Sequence, residues 1–278
     1  MKLSLCIPTY NEEENIHIAL DSAYDIADEV IIIDGGSKDK TLEIARSYGD
    51  KIKIFEVDNP PNFLLNKQRA IEKAQGEWIL QLDADEAVSP ELKKEINAIL
   101  NRQEAGKNSK QRMDSSVTLQ DDTIAGYFIP RKNYFLGRYL MKGGVYPDSV
   151  LRLYRRQGAY FKLEHVHEHV IVQGQVGTTK EALIHMADPN FERYLMRWNR
   201  YTSFDAKQIV EKGERICFPC YFIGKPIGTF FSIYFRHKGF MDGFPGFVWA
   251  LFSSIRFWAI YIKAWHAVKS QSQKIAKS

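Results

Sequence analysis

GEWILQLDADE, residues 76–86, is the stretch on which the fold turns. Trp78 to Leu82 form a short apolar run, and Asp83 follows it directly. Such a run, bounded by polar residues, reads as a buried strand. In an open parallel sheet, ligands sit beyond the carboxyl ends of the strands. Asp83-Ala84-Asp85 stands at that edge. Two carboxylates one residue apart are costly to bury unless a cation lies between them. Hard oxygen ligands select Mg²⁺ or Mn²⁺, and such an ion neutralises a diphosphate leaving group. A D-x-D triplet alone also reads as a helix N-terminal cluster, because Ser89-Pro90 follows. Its place at the end of a strand favours the metal.

Toward the N-terminus the same alternation repeats. Residues 2–7, 29–34 and 51–57 read as strands, and 12–25, 38–48 and 64–75 as helices. Strands alternating with helices on short connections predict a mostly parallel α/β sheet. Pro8-Thr9-Tyr10-Asn11-Glu12 then follows the first strand, and Asp34-Gly35-Gly36-Ser37-Lys38-Asp39 follows the second. Both loops share an edge with Asp83. Gly35 and Gly36 allow close backbone approach to a ligand, and Asp34 is placed to accept from a base or ribose. Ser37 and Asp39 read equally as caps of the next helix. Lys67 and Arg69 read either as phosphate-facing cations or as solvated surface charges. No G-x-G-x-x-G is present, which argues against a dinucleotide.

Toward the C-terminus, a helix is expected over 90–102 and a mobile polar insertion over 103–122. Strands are expected near 124–131, 149–154, 166–172 and 180–186, and a long helix over 189–212. Glu164-His165-Val166-His167-Glu168-His169 is dense in titratable groups. A zinc triad there has no evident supporting residues, and Glu168 reads as a catalytic carboxylate. His185, one strand later, is placed to complete a metal site with Asp85.

Charge divides the chain. Residues 1–192 carry 24 Lys and Arg against 30 Asp and Glu, whereas 193–278 carry 14 against 4. The expected domains are therefore 1–192 and a basic, apolar, helical region 193–278. Residues 244–262 are almost wholly apolar but contain Arg256, which is costly in mid-span. A helix lying in the membrane interface, a re-entrant hairpin and a buried hairpin are the open readings. The aromatics of this region do not alternate with Arg and Lys as in a stacking groove, so nucleic acid is not expected. Three cysteines, Cys6, Cys217 and Cys220, argue against a disulfide framework, and C-x-x-C reads as two ordinary apolar cysteines. No basic, apolar leader opens the chain, so a cytosolic start is expected.

CIPTYNEEENI (6–16), IIIDGGSKDKT (31–41), GEWILQLDADE, GGVYPDSVLRLYRR (143–156) and HVHEHV (165–170) together resemble family 2 glycosyltransferases. Within that family they resemble the lipopolysaccharide-core glucosyltransferases of Gram-negative bacteria. The likeness covers roughly residues 1–210. It implies a GT-A fold, a UDP-sugar donor, a divalent metal and an inverting reaction. Thr9, Tyr10, Glu12, Asp34 and Ser37 would line the nucleotide pocket. Asp83 and Asp85 match the D-x-D motif, His185 the C-terminal metal-binding histidine, and Glu168 the catalytic base. The family's common acidic pair is His167-Glu168 here, and the 103–122 insertion is long. The basic, apolar tail at 219–278 makes a lipid-linked or lipopolysaccharide-core saccharide, at the cytoplasmic side of the inner membrane, the expected acceptor. A polyprenyl-phosphate glycosyltransferase and an inactive membrane-bound scaffold are the competing readings.

Overall fold

The computed structural model describes residues 2–60, 62–110, 124–163, 169–214 and 216–275. In chain order the strands are β1 (Leu3–Thr9), β2 (Glu29–Asp34), β3 (Ile52–Glu56), β4 (Trp78–Gln81), β5 (Glu86–Val88) and β6 (Ile124–Ile129). They continue with β7 (Arg131–Phe135), β8 (Arg138–Tyr139), β9 (Val150–Arg155), β10 (Gln175–Thr178) and β11 (Leu183–Asp188). The helices are α1 (Ile16–Ala23), α2 (Thr41–Arg46), α3 (Leu64–Lys73), α4 (Pro90–Lys110), α5 (Phe191–Glu211), α6 (Lys225–Phe231) and α7 (Gly243–Ile275).

The chain divides into two compact units: residues 1–132 with 148–185, and residues 133–147 with 186–278. The stretch 133–147, expected in the first domain, thus belongs with the C-terminal part. The first unit is built on a seven-stranded sheet in the order β10-β6-β9-β4-β1-β2-β3. The β1–β2, β1–β4, β2–β3 and β6–β10 pairs are parallel, and β9 runs antiparallel between β4 and β6. Side chains alternate across a strand, and here that alternation separates two cores. Leu5, Ile7, Val30 and Ile32 face α1 and α4, while Cys6, Ile31 and Ile33 face α3. Helices therefore cover both faces, which is why β1, β2 and β4 read as unbroken apolar runs.

Helix α4 reaches Lys110, eight residues beyond the expected end. Its extension is anchored where Gln103 accepts from Arg155 Nη2 at 2.5 Å. The rest of the expected insertion, from 111, lies outside the described residues. So do residues 164–168, which include the start of the expected strand 166–172. The remainder of that strand contributes a single bridge, Tyr160 to Ile171.

In the second unit Asn190 stands just before α5, where its side chain accepts from Arg193 N at 2.8 Å and caps the helix. Tyr194, Phe135 and Val248 form one apolar cluster, and Ala206, Tyr221, Ile260 and Ala264 form another. Both join α5 to α7. Cys217 and Cys220 are joined in a disulfide, against the expectation of two unbonded thiols. Residues three apart on a helical turn share a face, and their Cα atoms lie 5.2 Å apart. Cys6 is a free, buried cysteine.

Candidate active site

Adjacent parallel strands β4, β1 and β2 end together, and their carboxyl ends carry Asp83, Thr9 and Asp34. Asp34 is fully buried and organises the loop after it. Its Oδ2 accepts from Gly36 N at 2.9 Å and Ser37 N at 2.8 Å, and its Oδ1 from Ser37 Oγ at 2.5 Å and Thr9 Oγ1 at 3.1 Å. A carboxylate has about four acceptor positions, so Asp34 is committed to the loop instead of to a base or ribose. Gly36 has φ +83°, a conformation that excludes most side chains.

The β1 loop is tied to the β2 loop. Asn11 N donates to Ser37 Oγ, Lys38 N donates to Asn11 Oδ1, and Glu12 N donates to Thr41 Oγ1. Asp39 accepts from Thr41 N and Thr41 Oγ1 just ahead of α2, whose capping position is Lys40, without a side-chain cap. Glu12 Oε2 holds Asn15 Nδ2 at 2.6 Å, ahead of α1. Tyr10 is exposed at the rim.

At the end of β4, Asp83 lies between two cations. Lys67 Nζ is 2.7 Å from Oδ1, and Arg152 Nη2 is 2.5 Å from Oδ2. Arg152 Nη2 also donates to Glu86 Oε1 at 2.8 Å, as does Arg131 Nη1 at 3.0 Å. Arg131 in turn holds Asp148. The result is an alternating chain: Lys67, Asp83, Arg152, Glu86, Arg131, Asp148. Burial alone would raise the carboxyl pKa values of Asp83 and Glu86. The surrounding cations together outweigh it, Arg152 and Lys67 at Asp83 and Arg152 with His185 and Arg131 at Glu86, and both acids sit below their usual range. Burial, with Arg152 nearby, lowers the Lys67 ammonium. Arg152 Nε is buried with no hydrogen-bond partner among the described residues.

Asp85 faces a different neighbour. Strand β11 pairs antiparallel with β5, placing His185 opposite Glu86. His185 Nε2 thereby lies 3.7 Å from Asp85 Oδ1, although 100 residues separate them in the chain. Among the described residues no three His, Cys, Asp or Glu side chains converge as a ready-made metal cage. A Mg²⁺ or Mn²⁺ ion typically takes one or two protein ligands and completes its shell with phosphate oxygens and water. The Asp85–His185 pair fits that requirement. Asp83, held by two cations, fits it less well.

Lys67 and Arg69, read as phosphate-facing cations or surface charges, are engaged within the protein. Lys67 is buried on Asp83, and Arg69 bonds Asp58 and Asn66. Glu168 lies outside the described residues. Sequence reasoning missed Glu86, Arg131 and Arg152. One signal was available: a lone Arg152 amid the apolar residues of LRLY.

The motif order, the strand-end placement and the D-x-D triplet agree with a direct match. The sequence model described as glycosyl transferase family 2 matches residues 4–159. The chain belongs to this family. It is a glycosyltransferase, and the mixed α/β sheet described above is its GT-A-like fold. Lipopolysaccharide core biosynthesis glycosyltransferase LpsC of Rhizobium meliloti is 27% identical over 277 residues, covering 98% of this chain and 95% of that protein. An uncharacterized glycosyltransferase of Rickettsia bellii is 29% identical, covering 89% of this chain and 80% of that protein. Among solved structures, S. aureus TarS 1–349 in complex with UDP is 17% identical, covers 87% of this chain and 75% of that one, and has a TM-score of 0.45.

Proposed function

We propose that this transferase moves a sugar from a UDP-sugar to a saccharide acceptor carried on lipid at a membrane surface, with inversion at the anomeric carbon. The observation that carries the donor half is the meeting of Asp85 and His185 at 3.7 Å beside the Lys67–Asp83–Arg152 chain, at the carboxyl edge of the sheet. Asp85 and His185 would hold a Mg²⁺ or Mn²⁺ ion, which when bound supplies neutralising charge to a diphosphate leaving group. Asp83 holds Lys67 and Arg152 in place beside that position. The β1 and β2 loops, pinned by Asp34, form the wall expected for the nucleoside, with Thr9, Tyr10, Glu12 and Ser37 along it.

The acceptor half rests on the likeness to the core biosynthesis enzyme and on the apolar, basic second unit. A location at the cytoplasmic side of the inner membrane belongs to the same reading. Glu168 is the proposed base, removing the proton from the acceptor hydroxyl as the glycosidic bond forms and UDP departs. A positioned base contributes roughly 10²–10⁴-fold. Glu168→Gln is therefore expected to lower turnover by at least about a hundredfold while UDP affinity, measured by titration calorimetry, stays nearly constant. Equal losses of affinity and turnover would contradict the base role.

A further inference from the structure

The second unit carries an apolar ridge that none of its own described elements covers. From Ile223 to Phe235 the chain is helical throughout, with α6 flanked by two wide-turn segments. Ile223, Ile227, Phe231 and Phe235 recur every four residues and are 56%, 53%, 58% and 51% exposed. Residues four apart share a helix face, so the four form one stripe. Phe244, at the start of α7, is 71% exposed. A scattered exposed leucine needs no explanation, whereas a contiguous stripe of this length marks an interaction surface.

Charge identifies what covers it. Residues 217–278 contain eight Lys and Arg and one acid, Asp242. Asp242 is buried, accepts from Lys142 N at 2.7 Å and lies 3.4 Å from Arg138. The exposed charge of the described part of this segment is therefore entirely basic. Lys225, Arg236 and Lys238 lie within or directly after the stripe in sequence, and Trp258 and Trp265 are exposed on α7. Apolar anchors, interfacial aromatics and cations without exposed acids match an anionic bilayer surface.

The helical run Gly239–Ser270, most of it α7, also has the length and composition to cross a membrane. Its polar contacts argue against crossing. Arg256 pairs with Asp205, and Lys263 Nζ bonds Asn199 Oδ1 at 2.6 Å, Thr202 Oγ1 at 2.7 Å and Ser203 Oγ at 2.8 Å. All four partners lie on α5, whose open side exposes Glu192, Arg200, Lys207 and Glu211. A spanning α7 would carry those charges into hydrocarbon, which is strongly unfavourable.

We infer that the second unit is a monotopic docking module. The stripe Ile223, Ile227, Phe231 and Phe235, with Phe244, enters one leaflet of an anionic bilayer, and α7 stays clamped to α5 without crossing. This deepens the membrane-surface part of the proposed function and is independent of the donor chemistry. The test mixes the purified full chain with phosphatidylcholine vesicles, or with vesicles of equal parts phosphatidylcholine and phosphatidylglycerol, and floats them on a gradient. The wild type and Tyr201→Glu, an exposed control on α5, are expected to float with the anionic vesicles and far less with the neutral ones. The double substitution Ile227→Glu/Phe231→Glu is expected to lower the floated fraction about tenfold or more with an unchanged thermal melt. Phe244→Glu carries the test if the double variant does not fold. A C-terminal tag is expected to stay cleavable by protease added outside the vesicles. Four results would overturn the inference: no flotation of the wild type, undiminished flotation of the folded variants, protection of the tag, or loss of self-association as the variants' sole effect on light scattering. UDP-sugar hydrolysis by the same variants without vesicles separates a failed docking face from a failed donor site.

Discussion

Glu86 is fully buried, yet it bonds two guanidiniums and the Asp83 amide. Its lowered pKa ties stability to pH. A carboxyl with a folded pKa below its unfolded value near 4.3 contributes stability above that value and loses it as pH falls through the folded pKa. The same sign holds for Asp83. Urea midpoints of the wild type are therefore expected to fall as pH drops below about 5. Glu86→Gln, destabilised at pH 7, is expected to show a shallower fall, and an unchanged slope would contradict this account. Asp34→Ala leaves two amides and two hydroxyls without their acceptor. A loss of about 1–3 kcal/mol in denaturant titrations and weaker UDP binding are expected. At this scale the place of Asp83 and Asp85 just after β4, and the approach of His185 to Asp85, were legible in the sequence, because residue type and strand-end position mark them. Arg152 and Glu86 were not, because their meeting depends on the antiparallel β4–β9 register, which pairs Leu80 with Leu153.

Elements that bury a continuous apolar run announce themselves. The β1, β2 and β4 strands and α5 fall within a few residues of their expected bounds. Short β5, β8 and β10 carry too few residues for a period to show. The polar end of α4 also lacks one, and the bond from Arg155 to Gln103 is a fact of packing. The GFMDGFPGF segment at the head of α7 has a packing reason for its glycines. A Cβ on Gly246 would collide with Gly239 O and lie 2.9 Å from Asp242 Cβ, so backbone would have to move. Gly246→Ala is expected to cost about 1–3 kcal/mol by calorimetric or denaturant melting. An unshifted melt would show that the close approach is not maintained in solution.

On the scale of the whole molecule, alternating strands and helices made the α/β class legible, and the acidic-to-basic change along the chain announced a second unit. Its boundary was not legible, because residues 133–147 leave the first unit and the chain returns to it at 148. Composition averages over such an excursion. Likewise, hydropathy alone left α7 open between spanning and lying flat, and the ion pair of Arg256 with Asp205 is a fact of packing. The account's central claim is a metal-assisted UDP-sugar site at Asp85 and His185. Its most direct test is UDP release from a panel of UDP-sugars, with and without Mn²⁺, by the wild type, Asp85→Ala and His185→Ala. The account predicts slow hydrolysis of one donor that requires the ion, is abolished in Asp85→Ala and needs more Mn²⁺ in His185→Ala. Hydrolysis that is indifferent to Mn²⁺, or an Asp85→Ala variant that keeps the full Mn²⁺ response, would contradict it.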